Sequence, residues 1–357
     1  MEDLDQIYNK IKFSTILTTG RTGSDYLHGC LDNVPGILTF SGRFTYFKFC
    51  DSFKIKKFEE TNPNEILELF IEKNKYLFTK DEIENKKIDL DIDLFRKKFL
   101  YIAEKRKLTK QKFLLAIYLA YNLTLNRKID NLKTMVHHSH SVKETYRFLK
   151  NFENCKLLIT IRDPRANLKS GIINWIKYDN KTDNQKHFYN YIKRIREDLN
   201  FAEKQNNKKI FIKLEEANDV YMKQKLSDFL EVEFSPEIMK ATFAGKVWSG
   251  DRLSQYPPTH GEYNKNVINN DWENFFSKKD KEVFNLIYKD YKKFDYKIKS
   301  INFLKKIYIF FVIPLPFSFD KKIFSIKYNL KKNIGNAFYY FIRILYLYKL
   351  LFKLYLE

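Results

Sequence analysis

Short β-rich runs alternate along the chain with stretches whose apolar residues recur at helical spacing. Four runs bounded by turn signals or charged residues are predicted to be strands: 13–18 (FSTILT), 134–138 (TMVHH), 156–161 (KLLITI) and 208–214 (KKIFIKL). A helical pattern follows each of them, at 24–33, 142–152, 166–175 and 215–230. This alternation predicts an α/β fold with a doubly wound, mainly parallel sheet flanked by helices. In such sheets ligands bind beyond the carboxyl ends of the strands.

The composition is that of a folded protein with a strongly basic surface. Of the 357 residues, 44% are hydrophobic and 17% are aromatic, which excludes a disordered polymer, and the formal net charge is +21. Such a charge attracts nucleotides, nucleic acid, acidic glycans or anionic lipid headgroups. The chain is also rich in Lys, Asn, Ile, Phe and Tyr, as an A+T-rich genome would encode, so charge alone identifies no partner.

The sequence predicts neither a disulfide framework nor a membrane span. Cys30, Cys50 and Cys155 are scattered and show no metal-ligand spacing. The N-terminal residues contain no apolar signal region, and no run reaches about 18 apolar residues. We therefore expect a cytoplasmic protein.

The first strand runs into a short glycine turn that opens a helix, residues 19–24 (TGRTGS). A helix N-terminus presents unpaired N–H groups and a positive dipole end, which favours anion binding. Gly20 and Gly23 would let the backbone approach a phosphate, and Arg21 would place a cation beside it. Ser24 is expected to cap the helix and to bond a phosphate oxygen. The Walker A pattern is absent.

The third predicted strand ends in a second polar motif, residues 162–170 (RDPRANLKS). Arg162 leaves the strand end, and Ser170 lies eight residues later in the following helix. One guanidinium and one hydroxyl at this spacing would grip a terminal phosphate. Asp163 and Pro164 set the turn. The alternative is an Arg–Asp surface pair at a strand end.

Together these motifs resemble those of the sulfotransferases that use 3′-phosphoadenosine 5′-phosphosulfate (PAPS), whose bacterial members show GRxGS in the phosphosulfate loop. The resemblance covers about residues 12–297 and implies a P-loop NTPase-like fold and transfer of a sulfuryl group to an acceptor hydroxyl. It implies that Arg162 and Ser170 bind the 3′-phosphate and that Arg21 also serves catalysis. It further implies that Tyr26 stacks on adenine. The implied donor-binding loop consists of Gly20, Arg21, Thr22, Gly23, Ser24, Asp25 and Tyr26. Supportive matches to the family lie in residues 210–234, 243–251 and 269–296.

The chain departs from this family at three places. Asp25 stands where many relatives have Thr, and its carboxylate would repel a phosphate unless it is turned away or paired with Arg21. The basic, glycine-containing loop before the Asp-Trp pair reads KNVINN, which leaves Lys265 as the phosphate contact there. The catalytic Glu of some relatives has no counterpart in residues 39–44 (TFSGRF).

The acceptor hydroxyl must lose its proton during transfer, so a neutral imidazole or a carboxylate is needed nearby. By resemblance His140 matches the catalytic His and His138 replaces a Lys. His28, or a carboxylate from residues 52–130, is a further candidate. We expect no metal, because no acidic or Cys partner lies at suitable spacing and adjacent strand residues face opposite sides.

Two regions stand apart from the strand and helix alternation. Residues 52–130 are mostly helical in pattern and are predicted to be an insertion, a candidate lid on the acceptor side. We expect residues 1–300 to form the sulfotransferase domain and residues 301–357 to form a basic, aromatic extension. This extension has ten Lys or Arg residues and two acids. It would lie on a membrane surface or pack on the domain as an ordinary helix.

The expected partners are the nucleotide donor and a hydroxyl acceptor, by analogy on a carbohydrate or glycolipid, with no nucleic acid. One alternative is a nucleotide-dependent phosphotransferase, which would need a Walker A Lys followed by a Mg²⁺-binding Ser or Thr. The other is a non-enzymatic basic protein that binds nucleic acid or membrane. It would explain the charge but not two anion motifs at successive strand ends.

Overall fold

Five parallel strands form the central sheet of the computed structural model. The structure describes residues 3–18, 20–42, 44–53, 58–79, 90–103, 107–174, 184–250, 260–268, 271–320 and 330–356. The strands are β1 (Lys12–Leu17), β2 (Ile37–Leu38), β3 (Thr134–Ser139), β4 (Lys156–Ile161) and β5 (Lys209–Lys213), in the order β2-β3-β1-β4-β5. The predicted α/β class and all four predicted strands are confirmed. Strand β2 was missed because two residues carry no periodicity.

The strand order reverses beside β1, whose neighbours are β3 and β4. Ligands in open parallel sheets bind where the order reverses, beyond the carboxyl ends of the strands. The glycine turn follows β1, and Arg162 follows β4 directly. Both predicted anion motifs therefore leave adjacent strands at the same edge of the sheet.

The described part of the chain contains fifteen α-helices. They are α1 (Leu4–Lys10), α2 (Ser24–Leu31), α3 (Tyr46–Asp51), α4 (Pro63–Lys73), α5 (Tyr76–Thr79), α6 (Ile92–Ala103), α7 (Lys110–Thr124), α8 (Val142–Asn151), α9 (Pro164–Asn174), α10 (Gln185–Lys204), α11 (Val220–Leu230), α12 (Trp272–Phe275), α13 (Lys278–Ile287), α14 (Phe303–Val312) and α15 (Leu330–Leu356). A short antiparallel hairpin pairs β6 (Thr242–Phe243) with β7 (Lys246–Val247). None of the described helices combines the length and apolarity that crossing a bilayer requires.

The described part of the predicted insertion is largely helical, and its last helix packs in the core. Its roles as an insertion and as a lid stay predictions. Helix α7 is buried almost throughout and packs in one cluster with Phe13 of β1 and Met135 of β3. It carries apolar residues on all faces, and a helix of that kind belongs in a core. Residues 54–57, 80–89 and 104–106 of the insertion lie outside the described residues. So do residues 19, 251 and 269–270, parts of the motifs described above.

The chain divides into two compact units. The first consists of Met1–Thr18, Thr22–Ile161 and Gln205–Val267, and it holds the sheet. The second consists of Thr19–Arg21, Arg162–Lys204 and Ile268–Glu357. The C-terminal helices α14 and α15 therefore group with α9 and α10, and α15 packs along α10.

Candidate active site

The glycine turn has the backbone of an anion-binding loop. Gly20, Arg21 and Gly23 have φ angles of 74°, 45° and 82°, all in the left-handed region. Nearby left-handed residues turn backbone N–H groups into a concave nest that suits an anion. The left-handed conformation is sterically unfavourable for Arg21, whereas a glycine adopts it without strain. Backbone strain of this kind is concentrated at functional sites. A side chain at position 23 would also collide with Leu214, so glycine is required.

The hydroxyls of the turn brace it instead of capping the helix. Gly23 is the N-cap residue of α2, and Ser24 is the first helical residue, so the predicted capping role of Ser24 is wrong. The Ser24 hydroxyl donates to Thr18 Oγ1 at 2.8 Å, and Thr22 Oγ1 lies 2.7 Å from Thr160 Oγ1. The single proton of the Ser24 hydroxyl is directed at Thr18. The predicted contact of Ser24 with a phosphate oxygen stays a prediction.

Arg21, Arg162 and Ser170 come together in the second unit. Arg21 Nε donates to Ser170 Oγ at 3.3 Å, although the two residues are 149 positions apart. Arg162 Nη1 makes a long contact of 3.5 Å with the carbonyl oxygen of Arg21, and Arg162 is buried. Arg21 thus contacts both of the other predicted phosphate-binding residues, Ser170 through its side chain and Arg162 through its carbonyl oxygen. The sequence assigned Arg21 to the phosphosulfate end of the donor, whereas its side chain here reaches the predicted 3′-phosphate residue Ser170.

Tyr191 of α10 completes this cluster, and the sequence analysis missed it. Its hydroxyl donates to Asn167 Oδ1 at 2.6 Å, and its ring lies against Gly20 and Gly171. Burial raises the pKa of Tyr191 to about 12, against the lowering effect of the nearby Arg21, so the phenol keeps its proton. The one local signal was Gly171, a glycine inside a helix, which indicates close packing.

The acidic residue of the second motif, Asp163, forms an ion pair with Arg165 of the same motif. Asp163 pairs with Arg165 through two contacts, Nε–Oδ1 at 2.9 Å and Nη2–Oδ2 at 2.6 Å. The Arg165 guanidinium also lies 3.9 Å from the centre of the Trp272 ring, and Lys169 pairs with Asp271. The Asp-Trp segment noted in the sequence therefore packs on α9 beside the motif, and the Arg–Asp pair considered as an alternative involves Arg165.

The first unit holds a separate group of histidines at the end of β3. Alternation along the strand sends His137 to one face, where its Nδ1 lies 2.9 Å from Tyr118 Oη and its ring stacks on Phe148. Burial lowers the pKa of His137 to about 3. His137 is therefore a neutral core residue and has no part in the site.

The opposite face of β3 carries His138 and His140 toward helix α2. The rings of His138 and His140 are 4.2 Å apart, and those of His28 and His138 are 5.1 Å apart. Asp25 Oδ1 lies 3.7 Å from His138 Nδ1. The carboxylate that seemed out of place in a phosphate loop thus faces an imidazole. Burial lowers the pKa of His28, which keeps that ring neutral.

These side chains also fit a metal ion. The ligand atoms of Asp25, His138 and His140 all lie within 4.8 Å of one another. Two imidazoles and one carboxylate form a donor set that first-row divalent metals accept. The sequence argument against a metal was wrong in its reason, because Asp25 supplies the acidic partner from 113 residues away.

A small crevice lies beside this group. Its lining is Asp25, His28, Gly29, Ser41, Gly42, His138, Thr242, Phe243 and Trp248. Among the described residues, no hydrogen-bond partner reaches His28 Nε2 or Trp248 Nε1, and both atoms are buried. Aromatic surface and unsatisfied polar atoms therefore lie side by side in this crevice.

The buried carboxylate of Asp32 connects the segments that line one side of this crevice. Asp32 accepts hydrogen bonds from Ser41 at 2.9 Å, Thr242 at 2.9 Å and the Gly245 N–H at 3.1 Å, and it pairs with Arg127 at 2.9 Å. Burial works to raise the pKa of Asp32, but Arg127 and these donors keep it below its usual value. The charged carboxylate therefore ties the hairpin β6–β7 to the loop after β2.

The two remaining predicted donor contacts stay predictions. Tyr26 is buried, its ring packs near Trp248 and Tyr263, and its hydroxyl donates to Asn218 Oδ1 at 3.0 Å. Lys265 is exposed at the first residue of the 3₁₀ turn Lys265–Ile268.

Comparison with known proteins gives limited help. No protein-family profile matches the chain, and no curated protein matches it. Among solved structures, the chain is similar to the sulfotransferase domain from the curacin biosynthetic pathway, with a TM-score of 0.40 and 15% identity over 72% of this chain and 89% of that domain. It is similar at the same TM-score and identity to the sulfotransferase domain from the Synechococcus PCC 7002 olefin synthase, over 74% of this chain and 88% of that domain.

Proposed function

We propose that this protein is a sulfotransferase that moves the sulfuryl group of PAPS to an acceptor hydroxyl. The observation that carries the proposal is the meeting of Arg21, Arg162 and Ser170, which follow two adjacent parallel strands. Two guanidinium groups and a hydroxyl this close together can serve the two phosphate groups of a single nucleotide. The left-handed turn that contains Arg21 adds backbone N–H donors and leads into the N-terminus of α2.

The donor is assigned to these groups by charge. Arg162 and Ser170 bind the 3′-phosphate, and the turn from Gly20 to Gly23 binds the phosphosulfate. Arg21 stabilises the negative charge that develops on the leaving phosphate oxygen, because a cation already in place costs no reorganisation during the reaction. Tyr191, held as a neutral phenol, keeps Gly20 and α9 in contact.

His140 is assigned as the base, with His138 as the second candidate. The acceptor oxygen forms a bond to sulfur while the bond from sulfur to the bridging phosphate oxygen breaks. The hydroxyl proton moves to the imidazole nitrogen, and adenosine 3′,5′-bisphosphate leaves with the bond's electron pair. Asp25 stabilises an imidazolium at His138 because its carboxylate lies 3.7 Å from that ring.

The acceptor is assigned to the crevice beside His138 and is a hydroxyl on a carbohydrate or glycolipid. Trp248 and Phe243 supply aromatic surface, and Asp25 and His28 supply hydrogen-bonding atoms. Sugars present this combination of apolar faces and hydroxyl edges. Incubation of the protein with radiolabelled donor and fractionated cell extract will identify the molecule that gains sulfate. Label found on a fraction without hydroxylated glycan would contradict the acceptor class.

Thermal unfolding with added nucleotide tests the proposed donor. Adenosine 3′,5′-bisphosphate should raise the melting temperature, since a ligand that binds the folded state at 100 times its Kd adds about 2.7 kcal/mol. ATP with Mg²⁺ should give little protection, because it lacks the 3′-phosphate and the chain lacks a Walker A Lys. Equal protection by both nucleotides would favour a phosphotransferase, and protection by neither would favour a non-enzymatic protein.

A further inference from the structure

The C-terminal helices expose an unusually apolar surface. Six large apolar side chains of α15 are between 52% and 75% exposed: Leu330, Ile334, Phe338, Phe341, Leu345 and Phe352. Their spacing of three, four and seven residues places them on one face of the helix. Exposed apolar side chains are normally scattered, and a continuous row of them marks an interaction surface.

The opposite face of α15 is fixed to the protein. Arg343 is 1% exposed and pairs with the buried Asp320 at 2.6 Å, and Arg343 also donates to Gln185 at the start of α10. Asn336 accepts a hydrogen bond from the Gln185 backbone N–H at 3.3 Å. These contacts set the rotation of the helix, so the apolar row points away from the unit that carries it.

Helix α14 extends the same surface. Phe310 and Phe352 are both exposed, and their ring centres are 6.5 Å apart. The Tyr348 hydroxyl donates to the Phe310 carbonyl at 3.0 Å, which joins the two helices. Phe303, Leu304 and Phe311 on α14 are each more than 60% exposed. We call the exposed apolar side chains of α14 and α15 together the C-terminal apolar face.

The positive charge around the C-terminal apolar face indicates which kind of partner binds it. Lys331, Lys349 and Lys353 are exposed on α15 beside the apolar row, and the described residues of α14 and α15 include no Asp or Glu. A second copy of the chain would bring the same lysines against one another, which is unfavourable. An anionic lipid surface would meet them with opposite charge, and aromatic side chains are suited to the headgroup region.

We propose that the C-terminal apolar face binds the surface of a bilayer rich in anionic lipid. Helix α15 lies in the membrane interface, with its apolar row among the upper acyl chains and its lysines at the headgroups. At 27 residues it is about 40 Å long, so the contact spans several lipids. This inference does not depend on the proposed reaction, because its test reads membrane binding alone.

Flotation of the full-length protein with vesicles tests this proposal. We expect binding to vesicles of phosphatidylcholine with 30% phosphatidylglycerol, as opposed to phosphatidylcholine alone. Phe338→Ser with Phe341→Ser should lower the partition coefficient by about tenfold or more, because the variant no longer buries these two rings among the acyl chains. Lys349→Gln with Lys353→Gln should lower it by about fivefold per lysine on the anionic vesicles only.

The matched control is Val220→Ser with Tyr221→Ser on α11, an equally exposed apolar pair outside the face, at 60% and 77%. This pair should leave vesicle binding unchanged. Absence of binding to anionic vesicles, or equal loss with the control pair, would overturn the proposal. So would a dimer in sedimentation velocity that the Phe338→Ser, Phe341→Ser variant dissociates, because the face would then belong to a second copy.

Discussion

At the scale of single residues, the histidine group shows how one strand separates a core residue from chemical ones. His137 faces Tyr118 and Phe148 and stays neutral, whereas His138 and His140 leave the other face of β3 beside Asp25. Alternation with a period of two is enough to produce this division. The Asp25 carboxylate lies 3.7 Å from His138 and belongs to the same group as His140.

Replacing the proposed base tests this assignment. His140→Ala should lower turnover by about 10² to 10⁴ while leaving the affinity for adenosine 3′,5′-bisphosphate unchanged, because a general base acts in the transition state. The measurement is kcat beside the calorimetric Kd. Undiminished turnover would reject His140 and transfer the role to His138.

Removing metal ions distinguishes the two roles open to Asp25, His138 and His140, which are general-base catalysis by an imidazole and binding of a metal ion. Dialysis against a chelator should leave turnover unchanged if an imidazole is the base. Loss of activity that added Zn²⁺ restores would show instead that Asp25, His138 and His140 hold a metal in the working enzyme.

At the scale of elements, α9 and α10 hold the anion site through one close approach. Gly171 of α9 faces the Tyr191 ring of α10, and any side chain at position 171 would overlap that ring. Tyr191 in turn lies against Gly20 in the turn that carries Arg21. The distance between these helices therefore controls where Arg21 and Ser170 meet.

Gly171→Ala should separate these helices. We expect a loss of about 1–3 kcal/mol in the free energy of unfolding, because an added methyl group overpacks a tight contact. Binding of adenosine 3′,5′-bisphosphate should weaken as well. The control is Gly335→Ala in α15, where a methyl group would meet no atom within 4 Å. That variant should gain up to about 1 kcal/mol, since Ala favours a helix over Gly. Denaturant titration of both variants would contradict the account if both lost stability equally.

At the scale of the whole molecule, the sequence predicted those features that depend on residues close together along the chain. The four strands and the two strand-end motifs were readable because buried strands are short apolar runs and parallel sheets collect their carboxyl ends at one edge. The meeting of Arg21 with Arg162 follows from the adjacency of β1 and β4. The burial of α7 was also readable, because the helix is apolar on every face.

The features that the sequence did not predict are mostly contacts between residues far apart along the chain. Asp25 and His138 are 113 positions apart, and Asp32 and Arg127 are 95 positions apart. No periodicity links such pairs, because their meeting depends on how complete elements pack. The capping role given to Ser24 failed for a local reason: a glycine with φ of 82° ended the turn one residue earlier than the motif suggested.

The most direct test of the central claim is the effect of Arg162→Ala on recognition of the 3′-phosphate. Calorimetry would compare the Kd of adenosine 3′,5′-bisphosphate with that of adenosine 5′-monophosphate for the parent protein and the variant. The account predicts that the parent prefers the bisphosphate and that the variant loses about 10- to 100-fold of this preference, the usual value of a charge-assisted contact. An unchanged preference in Arg162→Ala would contradict the account.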